Sequence, residues 1–362
     1  MTQGKIIDSL TSKRGRHSAN RMYHMKRILI GIVAVACSVS LAVDFKPPSP
    51  QERIKAVGST ESLPPILKKA FEPADDFDPI PVPKPGDWLA VHPETAQPFD
   101  RFVKSGPNRP DKKRNKIYLQ PLGSFPQDPN HFVPLLQDYA AAYFGMEVRR
   151  LKALALEDKK LTTRINSYTG KRQILTRDVL DLLKDNLPAD AFCILAITME
   201  DLYPQPSWNF VFGQASLRRR VGVYSFARYD PAFYGHPRGG DYEKILLRRS
   251  CKVLVHETAH MFGLTHCVFF NCVVNGSNHL AESDRRPLHV CPVCLRKLHH
   301  STGFDVTTRY RGLYDFYRKV GFDDDARWVK ERLEFILGPD AAKQFIQRQS
   351  SHLWTPKPEK SS

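Results

Sequence analysis

Apolar positions change their spacing several times between residues 115 and 265, and each change marks an element. Lys116–Leu122 is a short apolar run that predicts a strand. Phe132, Leu135, Leu136, Tyr139 and Tyr143 recur at helical spacing and predict a helix over 131–144, stopped by Gly145. A second short strand is predicted over 146–151. Thr176 is placed to cap a helix that runs through Val179, Leu180, Leu182 and Leu183 to Leu187 and stops at Pro188. Ala191–Met199 is continuous enough for a buried strand. Phe210–Gly213 and Val221–Phe226 predict two more strands across an arginine-rich link, and Tyr242–Leu264 predicts a long helix. Beyond 300, Tyr310, Leu313, Tyr314, Phe316 and Tyr317 share one helical face. Trp328, Leu333, Phe335, Ile336 and Leu337 share another, closed by Gly338-Pro339. Strands alternating with helices imply an α/β (or α+β) layered fold, with the last long helix packed on the sheet.

The first third lacks this order. Residues 44–110 hold fourteen of the 28 prolines, from Pro47 to Pro110, and sustain no period, so an extended, mostly loop-like segment is expected. Its apolar patches at Trp88–Val91 and at Phe99, Phe102 and Val103 give it reason to wrap a domain. Residues 28–43 are apolar, with Cys37 among them, and follow a basic stretch, 1–27, that contains Lys5, Lys13, Arg14, Arg16, Arg21, Lys26 and Arg27. That run is short for a membrane span and long for a signal-peptide core, so anchor, signal peptide and no membrane role all stay open. The expected organisation is therefore 1–27 basic, 28–43 apolar, 44–110 proline-rich, 111–340 the main domain and 341–362 a polar tail.

The formal net charge of +16 is high for a chain of 362 residues. Clusters at Lys112–Arg114, Arg218–Arg220, Arg248-Arg249 and Arg285-Arg286 could attract nucleic acid, anionic lipid or acidic peptides, although solvated faces are their commoner use. No ribonucleoprotein motif or recognition helix supports nucleic-acid binding, and none is expected.

The stretch 256–267, HETAHMFGLTHC, carries the chemistry. His256 and His260, four apart on a helix, project from one face and can share one metal ion. Glu257 stands beside the first of them, where a carboxylate can take a proton from a metal-activated water. Gly263 lets the helix end in a left-handed turn that brings His266 back as a third ligand. Three protein ligands leave the fourth tetrahedral position open, as in catalytic zinc sites.

Of seven cysteines, Cys193 and Cys251 lie in apolar surroundings and read as core thiols, whereas Cys267, Cys272, Cys291 and Cys294 follow the histidine motif at once. The spacing C-x4-C, 18 residues, C-x2-C fits a closed all-cysteine zinc site. Two disulfides, or a redox-active C-x-x-C, are the alternatives. In the zinc reading, His266 and Cys267 make the two metal sites neighbours, and the second stiffens the placement of the third histidine.

The extended histidine motif resembles that of the metzincin zinc peptidases, and its continuation through Cys272 to NGSNHLAESDRRPLHVCPVCLRKL is similar to the archaemetzincins. The similarity spans the Trp88 region to about residue 337. The resemblance implies a metzincin-like mixed sheet with an active-site helix and a zinc-stabilised helical C-terminal part. It implies two zinc ions. One is held by His256, His260 and His266 with Glu257 as general base; the other is structural, on Cys267, Cys272, Cys291 and Cys294. It also implies weak, aminopeptidase-like hydrolysis of small peptides, an intracellular location, and no cofactor besides zinc. One position departs from the pattern: Val274 stands where these peptidases carry a methionine beneath the metal. The rival expectation is a zinc-stabilised binding module that works through its basic surface, against which Glu257 argues. For a peptidase, the substrate backbone is expected to pair with an exposed strand edge, either Phe210–Gly213 or Val221–Phe226. His236 and the Gly239-Gly240 pair read as a surface loop that could border the cleft.

Overall fold

The structure, a computed structural model, describes residues 45–125, 129–157 and 159–348. The basic lead, the apolar run 28–43 and the end of the polar tail lie outside the described residues, and with them the expectation of an anchor or signal. Among the described residues no helix is long and apolar enough to cross a membrane.

Residues 45–110 are irregular over most of their length and wrap the domain, as expected, but they also carry short helices that were not expected. These are α1 (Pro50–Val57), α2 (Pro65–Phe71), α3 (Trp88–Val91) and α4 (Phe99–Lys104). The prolines that suggested a loop start two of these helices, where a missing N–H costs nothing. In α1 the Ser49 side chain and Glu52 close a capping box, which fixes the helix start. Helices this short are not stable alone. They are held because Phe71, Phe77, Ile80, Leu89 and Phe102 are buried in the same apolar core as the main sheet. Each such burial contributes roughly 1.5–3 kcal/mol. Two arginines clasp the segment from the far end of the chain. Arg332, fully buried, pairs with Asp76 at 3.1 Å and donates to the carbonyls of Lys69, Ala70 and Glu72. Arg296 donates to the carbonyls of Val57 and Ser59.

The main body follows the expected order. Strand β1 (Lys116–Leu122) is followed by α5 (Pro129–Phe144) and β2 (Glu147–Arg150). Next come β3 (Thr163–Ile165), β4 (Arg172–Leu175), α6 (Thr176–Asp185), β5 (Ala191–Thr198), β6 (Asp201–Tyr203), β7 (Gly213–Ala215) and β8 (Val221–Ser225). Helix α7 (Tyr242–Met261) then leads to the short α8 (Leu280–Asp284), and α9 (Pro292–Thr302), α10 (Val306–Val320), α11 (Asp323–Leu337) and α12 (Pro339–Gln347) close the chain. Helix α12 occupies the first residues of the expected tail.

The main sheet has the order β2-β1-β5-β8-β7 and is parallel except for β7, which runs antiparallel to β8 at one end. Its two faces feed two apolar clusters by simple alternation. Ile117 and Leu119 of β1 and Leu195 and Ile197 of β5 pack on the side of α5 and α7. Tyr118, Leu122, Ile194 and Ala196 pack on the side of α6. The sheet is thus mixed, as expected. A separate small sheet, β3-β4-β6, was not predicted. Its strands are three or four residues long and largely polar, so they leave no periodic signal.

Two strand expectations change. The pairing strand is Gly213–Ala215, shifted from Phe210–Gly213: the ring of Phe210 is taken up against the Arg228 guanidinium, 3.7 Å away, and that of Phe212 stacks on Tyr229. Strand β8, offered as an exposed edge, is interior to the sheet between β5 and β7. The edge nearest α7 is β7.

Candidate active site

Helix α7 carries the site because its buried face is apolar almost to the end. Leu246, Leu247, Leu254, Val255, Ala259 and Met261 anchor it against the sheet and α5. His256 and His260, half-buried, leave the opposite side of its last turns. The helix ends at Met261, three residues earlier than expected, and Gly263 adopts φ +90°, a left-handed conformation that a Cβ would strain. The reversed chain then delivers His266 to the two helical histidines.

The three imidazoles face one another with ring centroids 4.6, 5.1 and 5.0 Å apart. Each Nδ1 is committed to an acceptor. His256 donates to the Val273 carbonyl at 3.0 Å, His260 to the Leu264 carbonyl at 2.7 Å and His266 to Glu94 Oε1 at 2.6 Å. With Nδ1 protonated, every Nε2 presents a lone pair. Those of His256 and His260 point at each other across 3.0 Å. Such an arrangement is repulsive unless a cation sits between the nitrogens, and tetrahedral zinc would set them about 3.3 Å apart. Burial depresses both rings, His256 well below the usual histidine value and His260 to about 4, so both are neutral at physiological pH. The residues therefore fit zinc.

Glu257, on the same turn as His256, lies against Gly213 of β7. It is buried, and burial alone pushes its carboxyl up to about 8. A Cβ on Gly213 would lie 2.5 Å from Glu257 Oε1, so glycine at that position lets the edge strand pass over the carboxylate without displacing it. Both residues line a cleft of about 530 Å³ together with the three histidines, Trp88, Trp208, Lys252, Asn275 and Arg286. His236, Gly239 and Gly240 are exposed and are not among the cleft residues.

The four cysteines close a second cluster behind the first. All are buried, and their Sγ atoms lie within 4.8 Å of one another. The Cys267–Cys291 separation of 3.6 Å is far longer than a disulfide bond and close to the roughly 3.8 Å edge of a zinc–thiolate tetrahedron. Hydrogen bonds from Cys272, Cys291 and Cys294 hold the Cys267 thiol well below its usual value, which favours a thiolate there. Asn275 braces the enclosing loop, accepting from the Cys272 N–H at 2.7 Å and donating to the Cys267 carbonyl at 2.7 Å. The same loop returns Val273, whose carbonyl fixes His256, and Val274, whose carbonyl accepts from the Cys267 N–H at 3.0 Å. Val274 is fully buried.

Sequence reasoning brought together all seven metal-binding candidates and Glu257. It missed Glu94, which comes from the proline-rich segment and accepts from both His266 Nδ1 and Trp88 Nε1. Burial pushes the Glu94 carboxyl up, but the hydrogen bond and charge of His266 outweigh it and hold the group below its usual value. A lone glutamate between prolines carries no motif that would have revealed it. The paired arginines are only in part the solvated faces that were the commoner expectation: Arg285 is exposed, but its neighbour is not. Arg286 is buried on Glu282 at 2.9 Å, and Arg248 and Arg249 are paired with Asp325 and Asp284.

Comparison with known proteins places the chain in a family. Residues 157–300 match the model of peptidase family M54. The chain is 42% identical to Archaemetzincin-2 of Mus musculus over 308 residues, covering 77% of this chain and 86% of that protein. It is 42% identical to the human Archaemetzincin-2 over 277 residues, covering 68% and 77%. A crystal structure of an archaemetzincin from Methanopyrus kandleri aligns with a TM-score of 0.41 and 30% identity over 54% of this chain and 99% of that one. The chain belongs to the archaemetzincin family and is a zinc-dependent metallopeptidase.

Proposed function

We propose that His256, His260 and His266 hold the catalytic zinc and that Glu257 is the general base in hydrolysis of a peptide bond. The observation that carries this is the convergence of three Nε2 lone pairs, each imidazole locked through Nδ1, with a buried carboxylate alongside. Bound zinc supplies Lewis acidity and a positive charge that acidifies water and favours the ionised form of Glu257. Glu257 takes the proton of the attacking water and returns it to the leaving amine. Strand β7, at the end of the sheet, offers its outer edge to the substrate backbone, and Gly213 lets that edge lie close over Glu257.

Cys267, Cys272, Cys291 and Cys294 hold a second, structural zinc. Their complete burial supports a closed shell with no place for substrate. Trp88, 5.0 Å from the His266 ring, and Trp208 wall the cleft beside the third histidine, which supports short substrates and the aminopeptidase-like preference implied by the family resemblance. The unbonded thiols support an intracellular location. The test is paired: zinc is counted per chain, and wild type and Glu257→Ala are assayed on a mixed peptide library. Two zinc ions and cleavage that depends on Glu257 are expected, and the cleavage positions report end preference. Undiminished turnover by Glu257→Ala would overturn the mechanism.

A further inference from the structure

The cleft wall on the side of α7 that precedes the histidines is cationic. Lys252 lies one helical turn before His256, so the two side chains leave the same face roughly 6 Å apart. Lys252 and Arg286 both line the cleft, yet they are only 4% and 6% exposed. Arg249 and Arg285, which do not line the cleft, and Arg286, which does, are each taken by a carboxylate. Asp284 takes Arg249 at 2.8 Å, Asp87 takes Arg285 at 2.7 Å and Glu282 takes Arg286 at 2.9 Å. Glu282 is occupied further by the backbone N–H groups of Trp88 and Asn278.

Lys252 is left without a carboxylate among the described residues. Its Nζ donates to the carbonyls of Ser283 at 2.7 Å and Asp284 at 3.3 Å. An ammonium has three protons to give, and the contacts use two. The second observation is independent: the buried Nε–H of Arg286 has no partner. A buried cation with only carbonyl partners, on the same cleft as a buried unsatisfied guanidinium donor, is unfavourable in an empty site. It becomes favourable when a negative group enters. Closing the last carbonyls of α8 would need only a neutral donor, so that task does not account for the charge. Burial lowers the Lys252 ammonium to about 8, which leaves it protonated at neutral pH.

We propose that Lys252 and Arg286 form a carboxylate-binding subsite beside the catalytic centre, which takes an Asp or Glu side chain next to the scissile bond or the C-terminal carboxylate of a short substrate. The proposal rests on the peptidase reading above for what the ligand is, and it is tested by binding so that the two can fail separately.

The probes are fluorescein-labelled heptapeptides with Glu or Gln at each position in turn, and each with a C-terminal acid or amide. Kd is measured by anisotropy with the zinc-loaded full chain carrying Glu257→Ala. At one position Glu should bind about tenfold tighter than Gln if a side chain is the ligand; acid should bind about tenfold tighter than amide if the terminus is. In the Lys252→Met background that ratio should fall to near one. Lys252→Gln, which keeps donors for the Ser283 and Asp284 carbonyls, should lose it equally, so a folding defect in one variant does not decide the matter. Equal Kd values for every pair, or a ratio that survives both substitutions, would overturn the subsite. Failure of the wild type to cleave any peptide, with the binding ratio intact, would strike the proposed reaction and leave the subsite standing.

Discussion

The histidine and cysteine clusters meet at a single peptide bond, His266–Cys267, and are built in opposite ways. The histidines are half-buried, open onto the cleft, and each is fixed from behind by an oxygen: two loop carbonyls and the carboxylate of Glu94. The cysteines are sealed in the core, and their own backbone loop supplies N–H groups to sulfur, from Val274 at 3.5 Å and Cys291 at 3.3 Å onto Cys272. Neutral nitrogen ligands leave an ion its positive charge for chemistry, whereas four sulfurs neutralise it and fill its shell. The two clusters are joined through their shared loop, because the cysteine loop carries Val273, whose carbonyl accepts from His256. The difference in burial fits the proposed roles, in which one cluster supports the fold and the other uses it.

The largest test separates those roles. Cys291→Ser with Cys294→Ser should lose the cysteine-site zinc, weaken zinc at the histidines through Val273, and lose most of the folding stability, since a structural zinc contributes on the order of 10 kcal/mol, comparable to the whole stability of a domain. Zinc content and thermal melting read it. His266→Ala should instead lose the other zinc and leave the melting transition within a few degrees. Equal melting of both variants would erase the distinction between a supporting and a working site.

Glu257→Ala comes next. Hydrolysis should fall by about 10²–10⁴-fold, the range for loss of a general base, while both zinc ions stay bound. If turnover were lost only together with the metal, Glu257 would be holding the site together and not acting in the reaction.

How much of this was legible in the sequence follows the same division. The histidines, Glu257 and the cysteines are local patterns whose spacing states their geometry, β1 and β5 are short apolar runs, and α5, α6 and α7 carry helical periods, so all were readable. Gly263 was readable too, as the residue that ends α7. The short helices α1–α4 were not, because their stability comes from Phe71, Phe102 and the Arg332 clasp, all long-range contacts. Glu94 was invisible for the same reason: it reaches His266 across 172 residues of chain. The position of β7 was missed because rings at Phe210 and Phe212 resemble a strand in sequence but spend their contacts on Arg228 and Tyr229.

Glu94 sharpens the comparison from the open side. The cysteine cluster is complete within 267–294, whereas the histidine cluster borrows a carboxylate from the wrapping segment. Glu94→Ala should weaken zinc at the histidine site by about 10–100-fold, the usual cost of losing such a supporting group. Zinc at the cysteines should not change, and a competitive chelator titration distinguishes the two ions. Glu94→Gln still accepts from His266 and should fall between. Equal weakening of both sites would show that Glu94 acts through the fold as a whole.

The smallest effect should come from Gly213→Ala, which touches neither cluster's ligands. The new methyl would lie 2.5 Å from Glu257 Oε1 and 2.8 Å from its carboxyl carbon, too close to stand, so either β7 lifts or the carboxylate turns. Each movement separates the substrate edge from the base. Zinc content and melting temperature should therefore hold while kcat/KM drops about tenfold, a loss of roughly 1.4 kcal/mol in transition-state stabilisation. Gly239→Ala is the matched control, because no atom lies within 4 Å of a Cβ there. If Gly213→Ala kept full activity, the edge strand would have to be placed elsewhere relative to Glu257. If it lost zinc as well, the open site would be coupled to the sheet more tightly than the independent fixing of its three histidines implies.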